Sequence, residues 1–342
     1  MTLKAMLSRR TVTFVGPCQT ELRAETLSSP PFGQMLVKTT VSAISSGTEM
    51  LVYRGQFPVG LQVDENIPAL KRDFIYPLCY GYAAVGNVVE LGQGLSEDWL
   101  GRSVFSFQPH TSYFLATPET VFPLPEGLSP EAACFLPNME TAVNFVQDGA
   151  PLLGENVLVF GQGIIGLLTA SLLCQFPLHA LITLDNYACR RQASLALGAT
   201  ASLDPQAPEF REQLHALLPV GADLTYELSG SPATLNDAIA ATMYTGRVVI
   251  GSWYGNKPVH LDLGGVFHRS RIRLISSQVS SLAPELTGRW DKSRRFALAW
   301  QAIQRIQPEK WITHRFPHEN AADAYLLLDH SPSESIQVIL EY

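Results

Sequence analysis

The chain has 342 residues, too many for one small module and enough for two domains that each bury a core. Hydrophobic residues make up 46% and charged residues 16%, a balance that excludes a disordered chain. The formal net charge of −7 leaves no basic excess to neutralise a phosphate backbone, so nucleic acid is excluded in favour of a small-molecule partner.

The first residues, MTLKAMLSRRTVTF, contain no apolar run long enough for a secretory signal. The five cysteines, Cys18, Cys79, Cys134, Cys174 and Cys189, form no CxxC pair and stand near no histidine at metal-ligand spacing. They read as thiols of a reducing compartment, and a cytoplasmic location is expected.

Residues 1 to about 125 are rich in β-branched runs between Gly, Pro and Ser, as in Met35-LVKTTVSAI, Ala84-VGNVVELG and Ser103-VFSF. Between them, Gln56 to Tyr76 has no period, and a loop of that length serves either as a lid or as a passive excursion. Ser129 is the expected N-cap of a helix with Pro130 in its first turn. Beyond it, apolar strands near 156–160, 180–184, 223–228 and 247–251 alternate with helical stretches near 164–175, 188–197, 207–218 and 232–242. That rhythm predicts a parallel sheet with right-handed crossovers. A helix from Lys292 and a β-rich end, Ser335-IQVILEY, complete the chain. Val157 to Leu184 carries no charged residue over 28 positions, but glycines and a proline divide it into strand, turn, helix and strand, so no membrane span is expected.

Gly161-Gln-Gly163-Ile-Ile165-Gly166 is a G-x-G-x-x-G that follows a buried strand, opens an apolar helix and precedes Asp185, 24 residues after Gly161, at the end of the next strand. Dinucleotide binding needs that context. Gly161 permits the tight turn, Gly163 lets backbone N–H groups approach a pyrophosphate, and Gly166 allows helix and strand to pack. The helix N-terminus supplies about half a positive charge to the phosphates. A carboxylate at Asp185 would accept the ribose hydroxyls and repel a 2′-phosphate, which favours NAD. Arg190 and Arg191 follow closely and could instead pair with the phosphate of NADP.

With these pieces in order, the chain resembles the medium-chain dehydrogenase/reductase superfamily over essentially its whole length. The resemblance rests on Ser46-Gly-Thr-Glu49, Tyr53-Arg-Gly55, Tyr76-PLCYGYAAVGNVVELG92, Gly101-RSVFSF, Gly154-ENVLVFGQGIIG166, Leu197-GA and Asp223-LTYELSGS. It implies an α/β protein with a GroES-like β-rich domain and a Rossmann domain whose sheet is doubly wound and parallel. The expected divisions are 1–127, 128–280 and a return to the first domain over 281–342. The resemblance also implies homo-oligomers, with no membrane or nucleic-acid partner.

The zinc ligands of that superfamily are replaced: Ser46 stands for the first, Gly81-Tyr82-Ala83 for the Gly-His-Glu of the second, and Asn138 for the third. Hydroxyl and amide oxygens are poor zinc donors beside thiolate and imidazole, so the chain is read as a zinc-free member. Its Ile44-Ser-Ser-Gly-Thr-Glu49 form is similar to the bacteriochlorophyllide 3-hydroxyethyl dehydrogenase group, with departures over 56–76 and over 275–296. The implied reaction is hydride transfer between NAD(P)(H) and a secondary alcohol or ketone, on a substrate as bulky as a hydroxyethyl tetrapyrrole. Enone or quinone reduction, and a cofactor-binding protein without turnover, stay open as alternatives.

The resemblance assigns Thr48 to contact the substrate oxygen and relay its proton, with Tyr82 as acid or oxyanion donor. Ser46 and Asn138 are candidates to hold a substrate oxygen or water. Glu49 reads as a structural partner, and His110, near where family members line the cleft, reads either as a loop histidine without a role or as the candidate proton shuttle. Ser229, Gly230 and Ser252 are expected to line the cofactor, and Trp253 and Tyr254 to form a flat wall. The cluster Arg269, Arg271, Arg273, Arg289, Lys292, Arg294 and Arg295 reads either as a solvated face or as a landing site for substrate carboxylates.

Overall fold

A computed structural model describes residues 7–58, 60–63 and 67–342. The first six residues, and four residues of the 56–76 loop, lie outside the described residues.

In chain order the first elements are β1 (Leu7–Gly16), β2 (Gln19–Leu27), β3 (Met35–Ile44), α1 (Thr48–Tyr53), β4 (Leu78–Cys79), β5 (Ala84–Leu91), β6 (Ser103–Ser106), β7 (Tyr113–Ala116), β8 (Val121–Pro123) and α2 (Pro130–Ala133). There follow α3 (Leu136–Gly149), β9 (Asn156–Phe160), α4 (Ile164–Leu173), β10 (Ala180–Leu184), α5 (Ala188–Ala196), β11 (Ala201–Leu203), α6 (Phe210–Leu217), β12 (Ala222–Glu227), α7 (Thr234–Ala240), β13 (Thr242–Ile250), β14 (Arg273–Ser276) and α8 (Lys292–Ile306). The chain ends with β15 (Ile312–Pro317), α9 (Ala321–His330) and β16 (Gln337–Glu341).

Two compact units result, one running to Pro137 and resuming at Gln307–Tyr342, the other Asn138–Ile306. Both divisions fall later than the sequence suggests. Ser129 caps α2 as expected, accepting from the Ala132 N–H at 3.1 Å, but this helix packs on β3 and β5 and stays with the first unit. Helix α8 is bound through Arg295 to Glu140 on α3, which keeps it in the second.

The first unit is built on two sheets, β2-β1-β4 and β15-β16-β3-β5-β6-β8, with β7 also paired to β3. β3 is buried along most of its length, and β16 lies antiparallel against it, pairing Val338 with Ile44 and Leu340 with Ser42. That pairing brings the last residues of the chain beside residue 42. Val12, Phe14, Ile44, Tyr53, Tyr325 and Leu340 form one core.

The second unit is a six-stranded parallel sheet in the order β11-β10-β9-β12-β13-β14. The order reverses beside β9, where the next strand in the chain lies on one side and β12 on the other; such switch points hold ligands at the carboxyl ends of the strands. β9 and β10 read as continuous apolar runs because both faces are covered, and α4 is apolar on nearly every side because it is buried on nearly every side. Each buried Leu or Ile of this layer contributes about 1.5–3 kcal/mol. Among the described residues no helix is long and apolar enough to cross a membrane. β11 and β14 went unread in the sequence, the first having three residues and the second opening within the basic stretch at Arg273.

Candidate functional site

The Gly-rich turn joins β9 to α4. Gly161 adopts φ +88°, and a Cβ there would lie 2.7 Å from both the Leu228 carbonyl oxygen and the Ser229 Cα. Glycine is therefore required where the end of β12 approaches. A Cβ on Gly166 would lie 2.0 Å from the Gly161 carbonyl oxygen, so the close approach it permits is to the turn itself rather than to the strand. Gly163 is the N-cap of α4, and no side chain caps the helix. The first-turn N–H groups of a helix have no intrahelical partners and, with the dipole, form a seat for an anion. Ile165, half-buried, lies in that first turn.

Asp185 follows directly on β10, nearly buried. One carboxylate oxygen accepts the Gln162 N–H at 2.7 Å and the other the Tyr187 N–H at 2.8 Å, which locks the carboxylate against the turn. Each oxygen keeps a lone pair for a ribose hydroxyl. Arg191 is committed to the Asp185 carbonyl at 2.8 Å and to Asp204 at 3.0 Å. Arg190 stacks on Tyr187, its guanidinium 4.0 Å from Asp185 and 3.8 Å from where a Cβ on Gly163 would stand.

Glu227, at the end of β12, is fully buried and was missed in the sequence; its only signal there is an acid closing an apolar strand. One oxygen accepts the Ser229 N–H at 2.9 Å, the Ser229 hydroxyl and the Thr234 hydroxyl; the other accepts the Tyr254 hydroxyl at 2.5 Å. Burial and the Glu227 charge push the Tyr254 phenol far up, so it stays a donor. Gly230 donates to Ser252 at 2.9 Å, so the loops after β12 and β13 are tied together. Tyr254 is thus anchored to Glu227, while Trp253 is exposed.

In the first unit, Ser46 and Thr48 are half-buried at the start of α1, and neither side chain is hydrogen-bonded within the described residues. Tyr82 donates its hydroxyl to Ser45 at 2.5 Å. Behind them Glu49 is fully buried, accepting from the Ser45 N–H at 2.7 Å, from His110 Nε2 at 2.9 Å and from the Tyr325 hydroxyl at 2.5 Å. His110 Nδ1 is bonded to Ser42 at 2.7 Å, and Ser42 to Tyr342 at 2.9 Å. The structure therefore corrects the reading of His110 as a cleft-lining shuttle. It is fully buried with both ring nitrogens engaged, and acts on its surroundings through Glu49 and Ser42. Asn138 belongs to the second unit, nearly buried on α3.

The basic cluster is not a single face. Arg295 is fully buried against Glu140, Lys292 bonds the same carboxylate, and Arg294 stacks on Trp290, so neither the solvated face nor the landing site keeps all its members.

The family model described as "Zinc-binding dehydrogenase" matches residues 165–297. Over 266 residues the chain is 24% identical to the D-guloside 3-dehydrogenase of Escherichia coli (strain K12), covering 75% of this chain and 76% of that one. In sequence the chain is thus similar to zinc-type and polyol dehydrogenases. Their fold is also its fold. The structure of the rspB alcohol dehydrogenase from Escherichia coli CFT073, complexed with NADH, superposes with a TM-score of 0.79 at 18% identity, covering 98% of this chain and 99% of that one. The 2R,3R-butanediol dehydrogenase from Bacillus subtilis superposes with a TM-score of 0.78, also at 18% identity, over 98% and 99% of the two chains.

That similarity implies a zinc ion, and the donors at the positions the sequence resemblance assigns to it do not fit one. Ser46, Tyr82 and Asn138 offer neither thiolate nor imidazole, and the Tyr82 phenol is bonded to Ser45. His110 and Glu49 are bonded to each other. Among the described residues no three His, Cys, Asp or Glu side chains are grouped to hold a metal.

Proposed function

We propose that the chain is a zinc-independent NAD(P)-dependent oxidoreductase acting between a secondary alcohol and its ketone. The observation that carries this reading is the uncapped Gly161–Gly166 turn at the switch point of the parallel sheet, with the Asp185 carboxylate locked beside it. Asp185 and the commitment of Arg191 to Asp204 support NAD over NADP. Gly161, Gly163, Ile165, Gly166, Asp185 and Arg190 would hold the adenosine and pyrophosphate, and Ser229, Gly230 and Ser252 the remainder. When bound, the nicotinamide supplies or accepts the hydride.

The oxygen of the substrate must then be met by donors of this chain. Thr48 is the proposed contact for it, and Tyr82, once its hydroxyl turns from Ser45 to the substrate, the proposed acid or oxyanion donor. Ser46, and separately Asn138 of the second unit, are kept as candidates to hold a substrate oxygen or a water. Secondary alcohols cover both the polyols in the relatives' names and the hydroxyethyl tetrapyrrole of the sequence resemblance; loss of Arg295 and Lys292 as carboxylate receptors favours the former. A homo-oligomer and a cytoplasmic location belong to the same reading.

The test is fluorescence titration with NADH and NADPH, followed by transfer of labelled hydride to panels of ketones, enones and quinones. Tighter binding of NADH and transfer to ketones support the reading. Binding of neither dinucleotide overturns it, and transfer confined to enones or quinones replaces it with conjugate reduction.

A further inference from the structure

Glu140, Asn144 and Asp148 lie four residues apart on α3 and therefore share one face. Asn144 and Asp148 turn toward the segment that leaves β14, and Glu140 toward α8. Arg295, on α8, is fully buried and uses its guanidinium completely: to Glu140 at 2.9 and 3.1 Å, to Asn144 at 2.5 Å, to the Ser281 carbonyl at 3.2 Å and to the Val279 carbonyl. Lys292 adds bonds to Glu140 at 2.5 Å and to the Val279 carbonyl at 3.0 Å. Ser277 donates to Asp148 at 2.5 Å and accepts from Asn144 at 2.9 Å. Three of the five residues from Ser277 to Ser281 are thus gripped, at 277, 279 and 281.

A buried charge pair is a poor source of stability, because desolvation offsets most of its attraction, and apolar packing would serve stability as well. What such a network does supply is a fixed geometry for the backbone it holds. The segment it holds lies at the carboxyl edge of the sheet. Asp185 at β10 and the turn after β9 set the adenosine and pyrophosphate on one side, so an extended dinucleotide must run on over β12, β13 and β14. The loops after β12 and β13 are fastened to Glu227; the loop after β14 is fastened by the α3–α8 network.

We propose that Arg295, with Glu140, Asn144 and Asp148, is a positioning clamp that fixes residues 277–281 as one edge of the nicotinamide subsite. The proposal rests on the dinucleotide reading above. Its occupant is the nicotinamide ring, so the clamp acts on NADH and not on ADP-ribose, which keeps both riboses and lacks that ring.

Calorimetric titration of the full chain with NADH and with ADP-ribose tests it, using the wild type, Arg295→Lys and Ser277→Ala. Lysine keeps the charge beside Glu140 but cannot reach both carbonyls, and Ser277→Ala removes one tether while leaving the ion pair. Expected is a weakening of NADH by about tenfold in Arg295→Lys, equivalent to about 1.4 kcal/mol, and a smaller loss in Ser277→Ala. ADP-ribose should stay within about twofold of wild type. Equal losses for both ligands, or none in either variant, overturn the clamp. Wild type binding both ligands equally well also overturns it while leaving the dinucleotide reading intact; wild type binding neither sinks both. Should Arg295→Lys fail to fold, Ser277→Ala alone decides, since unchanged NADH binding there refutes the clamp.

Discussion

Gly166→Ala sets two effects against each other whose sizes the structure supplies. Alanine inside a helix gains about 1 kcal/mol over glycine in propensity, and Gly166 lies in α4 with an ordinary backbone. Its new Cβ, however, would stand 2.0 Å from the Gly161 carbonyl oxygen and 2.9 Å from that carbonyl carbon, more than 1 Å inside van der Waals contact. The obstacle is backbone, so no rotamer relieves it. The turn cannot simply retreat either, because Gly161 is itself packed against Leu228 and Ser229. Overpacking of this kind costs about 2–4 kcal/mol, leaving a net loss of about 1–3 kcal/mol and a distorted anion seat. Gly163→Ala is the control. Its φ of −61° suits alanine, and the nearest atom to the new Cβ is the Arg190 guanidinium at 3.8 Å. Stability should stay within about 1 kcal/mol, while NADH affinity falls about tenfold because the methyl group stands on the face offered to the pyrophosphate. Urea unfolding followed by fluorescence, with NADH titration of each variant, measures both. A Gly166→Ala protein as stable as wild type refutes the packing account, and a Gly163→Ala protein with wild-type affinity refutes the placement of the pyrophosphate.

Three further outcomes are expected. Thr48→Val, isosteric at a half-buried position, should lower alcohol oxidation about a hundredfold with little change in NADH binding, and unchanged turnover would remove Thr48 from the reaction. Tyr82→Phe deletes only the hydroxyl donated to Ser45, so it should cost about 1 kcal/mol of stability or less; a kcat loss of about a hundredfold at steady KM marks the phenol as a participant, and wild-type kcat marks it as a strut. His318 is buried and stacked on Tyr342 at 4.3 Å, and burial, followed by the nearby His110, pulls its pKa down to about 4. Between pH about 6.5 and 4 the unfolded chain then binds a proton that the folded chain does not, so stability present above that window is lost as pH falls, by up to about 3 kcal/mol. His318→Phe keeps a ring on Tyr342 and should flatten this part of a stability–pH profile; an unchanged slope would show that other groups set it.

What could be read from the sequence was local. The turn after β9, the helix it opens and Asp185 lie within one strand–helix–strand unit, where spacing alone specifies who meets whom. β11 and β14 escaped because three- and four-residue strands carry too little pattern. The interior of the first unit was illegible for a different reason. Glu49, His110, Tyr325 and Tyr342 come together only because β16 returns across the whole chain to pair with β3 beside Ser42. His110 read as a loop histidine because its partners stand 61 and 68 residues away. Arg295 read as part of a charged face because Glu140 stands 155 residues before it.

The same interior explains what the Gly81 turn, where the proposed zinc-free site would present Tyr82, requires of its backbone. Gly81 holds φ +122°, and a Cβ there would lie 2.8 Å from the His110 ring. The imidazole is pinned between Glu49 and Ser42 and cannot yield. Glycine at this position is therefore demanded by the buried Glu49–His110 pair, whatever residue follows it. The turn is then free to present a phenol at Tyr82, and the carboxylate that holds His110 also holds the Ser45 backbone whose hydroxyl receives that phenol. The scaffold of the turn and its chemistry are separable. In this chain the scaffold is carried by a hydrogen-bonded acid and imidazole, and the proposed chemistry by hydroxyl groups.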